Sequence, residues 1–155
     1  ERFEEAELSY KQAIGFKPDF AEAYFNMGVT LHKLGRFEEA KERYKKTIAL
    51  KFQLAESYNN MGTVLKSQGK PEEALAAYKK ALVIDADYAE AYNNMGTVLS
   101  GQGNPKEALA AFKKALEIKP DFSQASAGMG ECLLKIGKFE EGRSLIHKTE
   151  GSISL

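Results

Sequence analysis

Three asparagines, Asn26, Asn60 and Asn94, stand 34 residues apart. An evenly spaced row of side-chain amides is the most chemically suggestive pattern in the chain. An amide carries donors and an acceptor together, so it can pair with a peptide group running in either direction. A ladder of them would hold an extended segment largely irrespective of its sequence. Each net hydrogen bond contributes about 0.5–1.5 kcal/mol. A few of them correspond to micromolar binding, about −8 kcal/mol. Around the row lie Asn59, Asn93, Thr63, Thr97, Lys66, Glu56 and Glu90, which complete the candidate peptide-binding set. A second reading stands beside this one. The amides can equally bond to a neighbouring helix, and the glutamates suit the positive end of a helix dipole as well as a basic ligand.

Other chemistry finds little support. His32 and His147 are far apart, and one cysteine with no CxxC or HxxxH spacing makes no metal site. Cys132 reads as a packed thiol rather than a nucleophile. The glycines do not follow a strand-to-helix turn, so no phosphate loop is present. The carboxylate pairs Glu38-Glu39, Glu72-Glu73 and Glu140-Glu141 recur at helix starts, where dipole electrostatics explain them better than acid–base catalysis. No catalytic residue, metal or cofactor is expected, and the chain does not read as an enzyme.

Composition narrows the partners. The 155 residues carry 22 basic and 22 acidic side chains, for a formal net charge of zero. That argues against a nucleic-acid or anionic-membrane binder, which needs a basic excess. No apolar run approaches the ~18–20 residues a bilayer span requires, so no membrane insertion is expected. A single cysteine excludes an intrachain disulfide and suits a reducing compartment, so a cytoplasmic location is expected. The opening ERFEEAE reads as charged helix rather than as a leader.

The elements that position the amides follow from the period. Met27-Gly28, Met61-Gly62, Met95-Gly96 and Met129-Gly130 recur every 34 residues, within segments beginning at Ala21, Ala55, Ala89 and Ser123. A period of that length signals stacked supersecondary units. With those four residues as position 1, position 4 is Tyr24, Tyr58, Tyr92 or Ser126, and position 11 is always leucine. Positions 4, 7, 8 and 11 share one helical face. Positions 2, 5, 6, 9, 12 and 13 are expected to point away from it, toward a ligand. Glycine at position 8 costs roughly 1 kcal/mol in a helix, so a close approach by a second helix is expected there. Gly35, Gly69, Gly103 and Gly137 should end the first helix in a left-handed cap, and Pro71 and Pro105 should open the second. The second helix carries a small residue at position 20 (Ala40, Ala74, Ala108, Gly142), a large one at 24 (Tyr44, Tyr78, Phe112, Ile146) and a small one at 27 (Thr47, Ala81, Ala115, Thr149).

This pattern resembles the tetratricopeptide repeat (TPR) family, whose motif is W-x2-L-G-x2-Y…A-x3-F…P over 34 residues. Here it reads Tyr24-x2-Met27-Gly28-x2-Leu31, then Ala40-x3-Tyr44. The resemblance implies an all-α, right-handed superhelical solenoid of antiparallel helix–turn–helix repeats that binds other proteins. The expected organisation is a lone second helix over 1–20, repeats at 21–54, 55–88 and 89–122, a last partial repeat at 123–149, and a tail or the start of a downstream segment at 150–155. Position 5 is never Lys and position 9 never Asn, so the family's two-carboxylate clamp is missing. The Asn row is similar to the repeat region of the protein N-acetylglucosamine transferases, in that row alone.

The expected function is a non-catalytic interaction module or scaffold that binds a peptide segment of a protein partner on its concave face. A regulatory or substrate-recruiting region of a larger enzyme, such as a protein glycosyltransferase, is the alternative. Opening in mid-repeat, the chain is expected to be a piece of a longer array. Its end helices should leave Phe3, Leu8, Tyr10, Ile14, Phe139, Leu145 and Ile146 partly uncovered. That allows a self-assembling scaffold through the ends as a further alternative. Residues 55–88 and 89–122 are identical at 24 of 34 positions, which favours a uniform groove over a bespoke pocket.

Overall fold

The left-handed glycines set the hairpins. In the computed structural model, residues 2–151 are described, with side chains over 2–147. The side chain of Thr149 and the tail 152–155, with Ile153 and Leu155, lie outside them. The chain divides into two compact units, one ending at Asp85 and the other beginning at Ala86. The first contains α1 (Arg2–Phe16), α2 (Ala21–Lys33), α3 (Phe37–Ala49), α4 (Leu54–Ser67) and α5 (Pro71–Ile84). The second contains α6 (Ala89–Gly101), α7 (Pro105–Ile118), α8 (Ser123–Lys135) and α9 (Phe139–Gly151). All the regular structure among the described residues is helical.

Each first helix ends the same way. Gly35, Gly69, Gly103 and Gly137 have φ between 72° and 85°, a region open to glycine at little cost. After Gly35, the Arg36 N–H donates to Leu31 O (2.9 Å), while the Gly35 N–H donates to His32 O (3.0 Å). This paired arrangement satisfies carbonyls that a helix end would otherwise leave bare. The second helix begins within three residues, with proline first in α5 and α7 and acidic first turns in α3, α5, α7 and α9. A turn this short makes α2/α3, α4/α5, α6/α7 and α8/α9 antiparallel pairs.

Packing within a pair is a ring set into a notch. A Cβ on Gly28 would lie 3.0 Å from the Tyr44 ring; on Gly62, 2.6 Å from Tyr78; on Gly96, 2.8 Å from Phe112. The approach anticipated at position 8 is therefore made by the large side chain at position 24. In α8/α9 the backbones approach as well, since a Cβ on Gly142 would lie 2.8 Å from Gly130 O. Ala40, Ala74 and Ala108 at position 20 are fully buried.

The buried arc of the first helices is wider than the stripe at positions 4, 7, 8 and 11. Positions 3 and 10 are buried in every repeat, as Ala23 and Thr30, Ser57 and Val64, Ala91 and Val98, Ala125 and Cys132. Of the methionines at position 7, only Met27 is buried. The cause is a second neighbour: α4 packs on α3 as well as α5, and α8 packs on α7 as well as α9. On α1, Tyr10 and Ile14 are packed against the core around Phe25, Met27 and Tyr44, so α2 covers them. Phe3, Leu8 and Phe16 of α1 remain exposed, as does Phe139 of α9.

One connection departs from the others. Residues 17–20 and 119–122 read KPDF, but 51–54 read KFQL. Gln53 stands where the other connections carry Asp19, Asp87 and Asp121, and the chain here passes through the left-handed region twice, at Lys51 (φ 54°) and Gln53 (φ 40°). In return the Phe52 ring packs edge-on against Phe25, with centroids 6.0 Å apart, and Phe52 O accepts a hydrogen bond from Ser57 Oγ (3.1 Å).

Two substitution sets test this account. Gly62→Ala should destabilise the protein by roughly 1–3 kcal/mol, because the new methyl overlaps Tyr78. Gly15→Ala, with nothing within 4 Å of the added carbon, should stabilise it by about 0.5–1 kcal/mol. Lys51→Gly should stabilise by about 0.5–1 kcal/mol through relief of its left-handed backbone. Urea denaturation of each variant supplies the numbers.

Candidate functional site

The candidate side chains sit on the first helices, so each unit is described by itself. In the first unit α2 and α4 lie side by side, bringing Asn26, Glu56, Asn59, Asn60, Thr63 and Lys66 onto neighbouring helices. In the second unit α6 carries Glu90, Asn93, Asn94 and Thr97, and α8 lies beside it.

Position 6 is half-buried in both units, at Asn26 and Asn60 and at Asn94. Asn60 does bond to a neighbouring pair: its amide is hydrogen-bonded to the hydroxyl of Tyr44 on α3. Its Oδ1 also accepts from Asn59 Nδ2 at 3.4 Å. Burial drives the Tyr44 hydroxyl pKa strongly upward, the bond with Asn60 opposes this, and the Glu56 carboxylate adds to the rise. The Tyr44 proton is therefore held at any working pH. An amide can make about four hydrogen bonds, so these two contacts fix Asn60 in place and leave it capacity for a ligand.

Position 5 is a correction. Its residues were expected to face outward, but Asn59 is 6% exposed and Asn93 7%. For Asn59 the second packing partner of α4, helix α3, accounts for this, since positions 1, 5, 8 and 12 form one helical row. Asn59 acts on the surface through Asn60, whereas Asn93 Oδ1 is buried without a hydrogen-bond partner. The remaining candidates are accessible. Glu56 and Glu90 are exposed, and Glu90 pairs with Lys119 at 3.5 Å. Thr63 donates to Asn59 O (3.2 Å) and meets the Tyr78 hydroxyl at 3.4 Å. Thr97 donates to Asn93 O (3.0 Å). Lys66 is half-buried at the far end of α4.

A contact that the sequence pattern did not single out links positions 12 and 13 of adjacent first helices. His32 Nε2 lies 3.2 Å from Ser67 Oγ. In the second unit, Lys135 Nζ donates to Ser100 Oγ at 3.0 Å. The separation is 35 residues in both cases, one more than the period, and that offset is the signal that could have revealed it. Burial lowers the pKa of His32 below its ordinary 6.5, and the charge on Lys66 lowers it further.

Family models described as tetratricopeptide repeat match residues 53–121, 99–150 and 21–53, and one described as TPR repeat matches 1–35. The chain belongs to the tetratricopeptide repeat family. Its fold is shared with MamA, at 27% identity over 96% of this chain and 87% of that one, with a TM-score of 0.83. It is shared with YrrB, described as a TPR protein with an unusual peptide-binding site, at 24% identity, 96% and 76% coverage, and a TM-score of 0.73. PilF of Pseudomonas aeruginosa gives 23% identity, 93% and 66% coverage, and a TM-score of 0.84. No curated protein sequence matches. The TPR assignment makes this chain a protein-interaction module of a family whose repeats are typically non-catalytic scaffolds. Among the described residues no helix is long and apolar enough to cross a membrane, and no three His, Cys, Asp or Glu side chains are grouped to hold a metal.

The His32 environment gives a pH signature. The unfolded chain binds a proton on this imidazole at higher pH than the folded chain does, so stability is complete above pH 6.5 and falls as pH drops through the lower folded value. Glu7, Glu38 and Glu39 have lowered pKa values, so their contribution is lost only below the ordinary 4.5. Between about pH 7.5 and pH 5.5 the thermal midpoint should therefore fall by roughly 1–3 °C. His32→Gln should remove most of that fall, as scanning calorimetry at the two pH values would show.

Proposed function

We propose that this TPR module binds an extended peptide segment of a protein partner on the concave face lined by its first helices. The observation that carries the reading is the fixed amide of Asn60. It is half-buried, held by Tyr44 and Asn59, and repeated at Asn26 and Asn94 with the same spacing. A restrained amide loses little rotamer freedom on binding, so its hydrogen bonds to a ligand backbone retain more of their strength. Asn26, Asn60, Asn94, Thr63, Thr97 and Lys66 are then the contact residues, Asn59 supports Asn60 from beneath, and Asn93 lies buried behind the row. Glu56 and Glu90 flank the row. The same reading takes repeats at 21–54, 55–88, 89–122 and 123–149 after a half repeat, in a cytoplasmic setting.

A second reading is favoured by the exposed Phe3, Leu8 and Phe16 of α1 and Phe139 of α9, which suit self-association through the end helices. One experiment separates the two. A random peptide display library is selected against this chain and against the double variant Asn60→Ala, Asn94→Ala. Peptides enriched by the parent chain and lost by the variant support the groove. Enrichment of the same peptides by both rejects the Asn row as the grip. Absence of enrichment together with mass that rises with concentration favours self-association.

A further inference from the structure

The C-terminal end of α4 carries a cation that the fold leaves uncompensated, next to the hydrogen-bonded His32–Ser67 pair. Lys66 is half-buried on α4, and among the described residues no carboxylate pairs with it. Most nearby lysines are otherwise engaged. Lys70 faces Glu38 at 3.8 Å, Lys41 pairs with Glu38, and Lys33 of α2 sits over the Phe3 ring at 5.8 Å. The charge on Lys66 falls instead on His32, an imidazole it disfavours from protonating.

The hydrogen bonds define what this corner can accept. Ser67 Oγ donates its proton to Thr63 O at 3.1 Å. Its oxygen must therefore accept from His32 at 3.2 Å, which places the neutral imidazole's proton on Nε2. Neither the Ser67 hydroxyl nor the neutral imidazole then has a proton left to donate, whereas the Lys66 ammonium retains its donors. One full positive charge with no anion beside it matches one carboxylate. A phosphate dianion would call for a second full charge or a guanidinium fork.

We propose that the Lys66 ammonium, beside the neutral His32–Ser67 pair, forms a subsite that takes an acidic side chain, Asp or Glu, of the peptide docked on α2 and α4. The proposal rests on the peptide-groove reading above. A side chain is the favoured source of the carboxylate because of where the corner lies. Position 12 is six residues beyond the amide at position 6, about 9 Å along the helix. A backbone gripped by Asn26 and Asn60 passes that far to one side. A side chain reaching outward and a lysine reaching inward can span the gap, whereas a chain-terminal carboxylate would lie on the backbone path itself.

The test selects a random dodecapeptide display library separately on the parent protein, on Lys66→Gln and on Lys66→Glu, each checked for an unchanged helical spectrum. The parent should enrich peptides with Asp or Glu at one fixed position. Lys66→Glu should replace that preference with Lys or Arg. In fluorescence titrations of the best parent-selected peptide, changing its acidic residue to the amide should weaken binding to the parent roughly tenfold, and to Lys66→Gln less than about twofold. Peptides enriched without an acidic preference, or an acidic preference that survives Lys66→Glu, overturn the subsite while leaving the groove standing. Enrichment of nothing on any of the three proteins overturns both.

Discussion

A ring seated against a helical glycine is the contact on which the rest of the structure depends. Tyr44 against Gly28, Tyr78 against Gly62 and Phe112 against Gly96 place an aromatic edge where any Cβ would collide. The glycine gives up helix propensity of about 1 kcal/mol. Burial of a large aromatic more than offsets it, since such side chains dominate core energetics. The ring also fixes the separation within each pair. The left-handed glycine that follows fixes the turn, so neither the distance nor the direction of the second helix is left to chance.

The same ring connects packing to the surface. Tyr44 has its edge in the Gly28 notch and its hydroxyl on the amide of Asn60, a residue of the next first helix. One side chain therefore closes its own pair and orients the candidate recognition group of the next. In the second unit Phe112 has no hydroxyl, and the residue it meets on the next first helix is Gly128, where a Cβ would lie 2.5 Å from the ring. The amide and the hydroxyl are present together at Tyr44 and Asn60 and absent together at Phe112 and Gly128. The Asn row is thus a structural bond and a candidate ligand contact at once. The two readings of the sequence pattern are compatible because an amide has more hydrogen-bonding capacity than the Tyr44 and Asn59 contacts use.

Variation is concentrated where the repeat is broken. The connection before α4 lacks the aspartate its counterparts share and adopts two left-handed residues, while Phe52 joins Phe25 in the core. Phe25 stands where the next two repeats carry asparagine. This repeat has therefore exchanged a buried amide for an aromatic pair, at the cost of backbone strain. The Glu7–Arg36–Glu39 network adds a further local feature. Arg36 donates to both carboxylates across the start of α3; it holds the Glu39 pKa low, and that of Glu7 is lowered by Lys11 first and by Arg36 second.

Much of this protein is determined by the sequence alone, because its contacts are local and periodic. The 34-residue recurrence of Met-Gly, the glycine caps, Pro71 and Pro105 and the small–large alternation each act within a helix or across one short turn. They specify helical hairpins before any distant contact is considered. The rows at positions 2 and 6 were legible for the same reason. Only the tertiary structure decided what a helix with two neighbours does with its remaining faces. It buried Asn59 and Asn93, left Met61, Tyr10 and Ile14 half-covered, and brought His32 to Ser67 with an offset of one residue from the period. A single helical wheel cannot supply that information, because it depends on how a first helix such as α4 or α8 lies between its own partner and the helix before it.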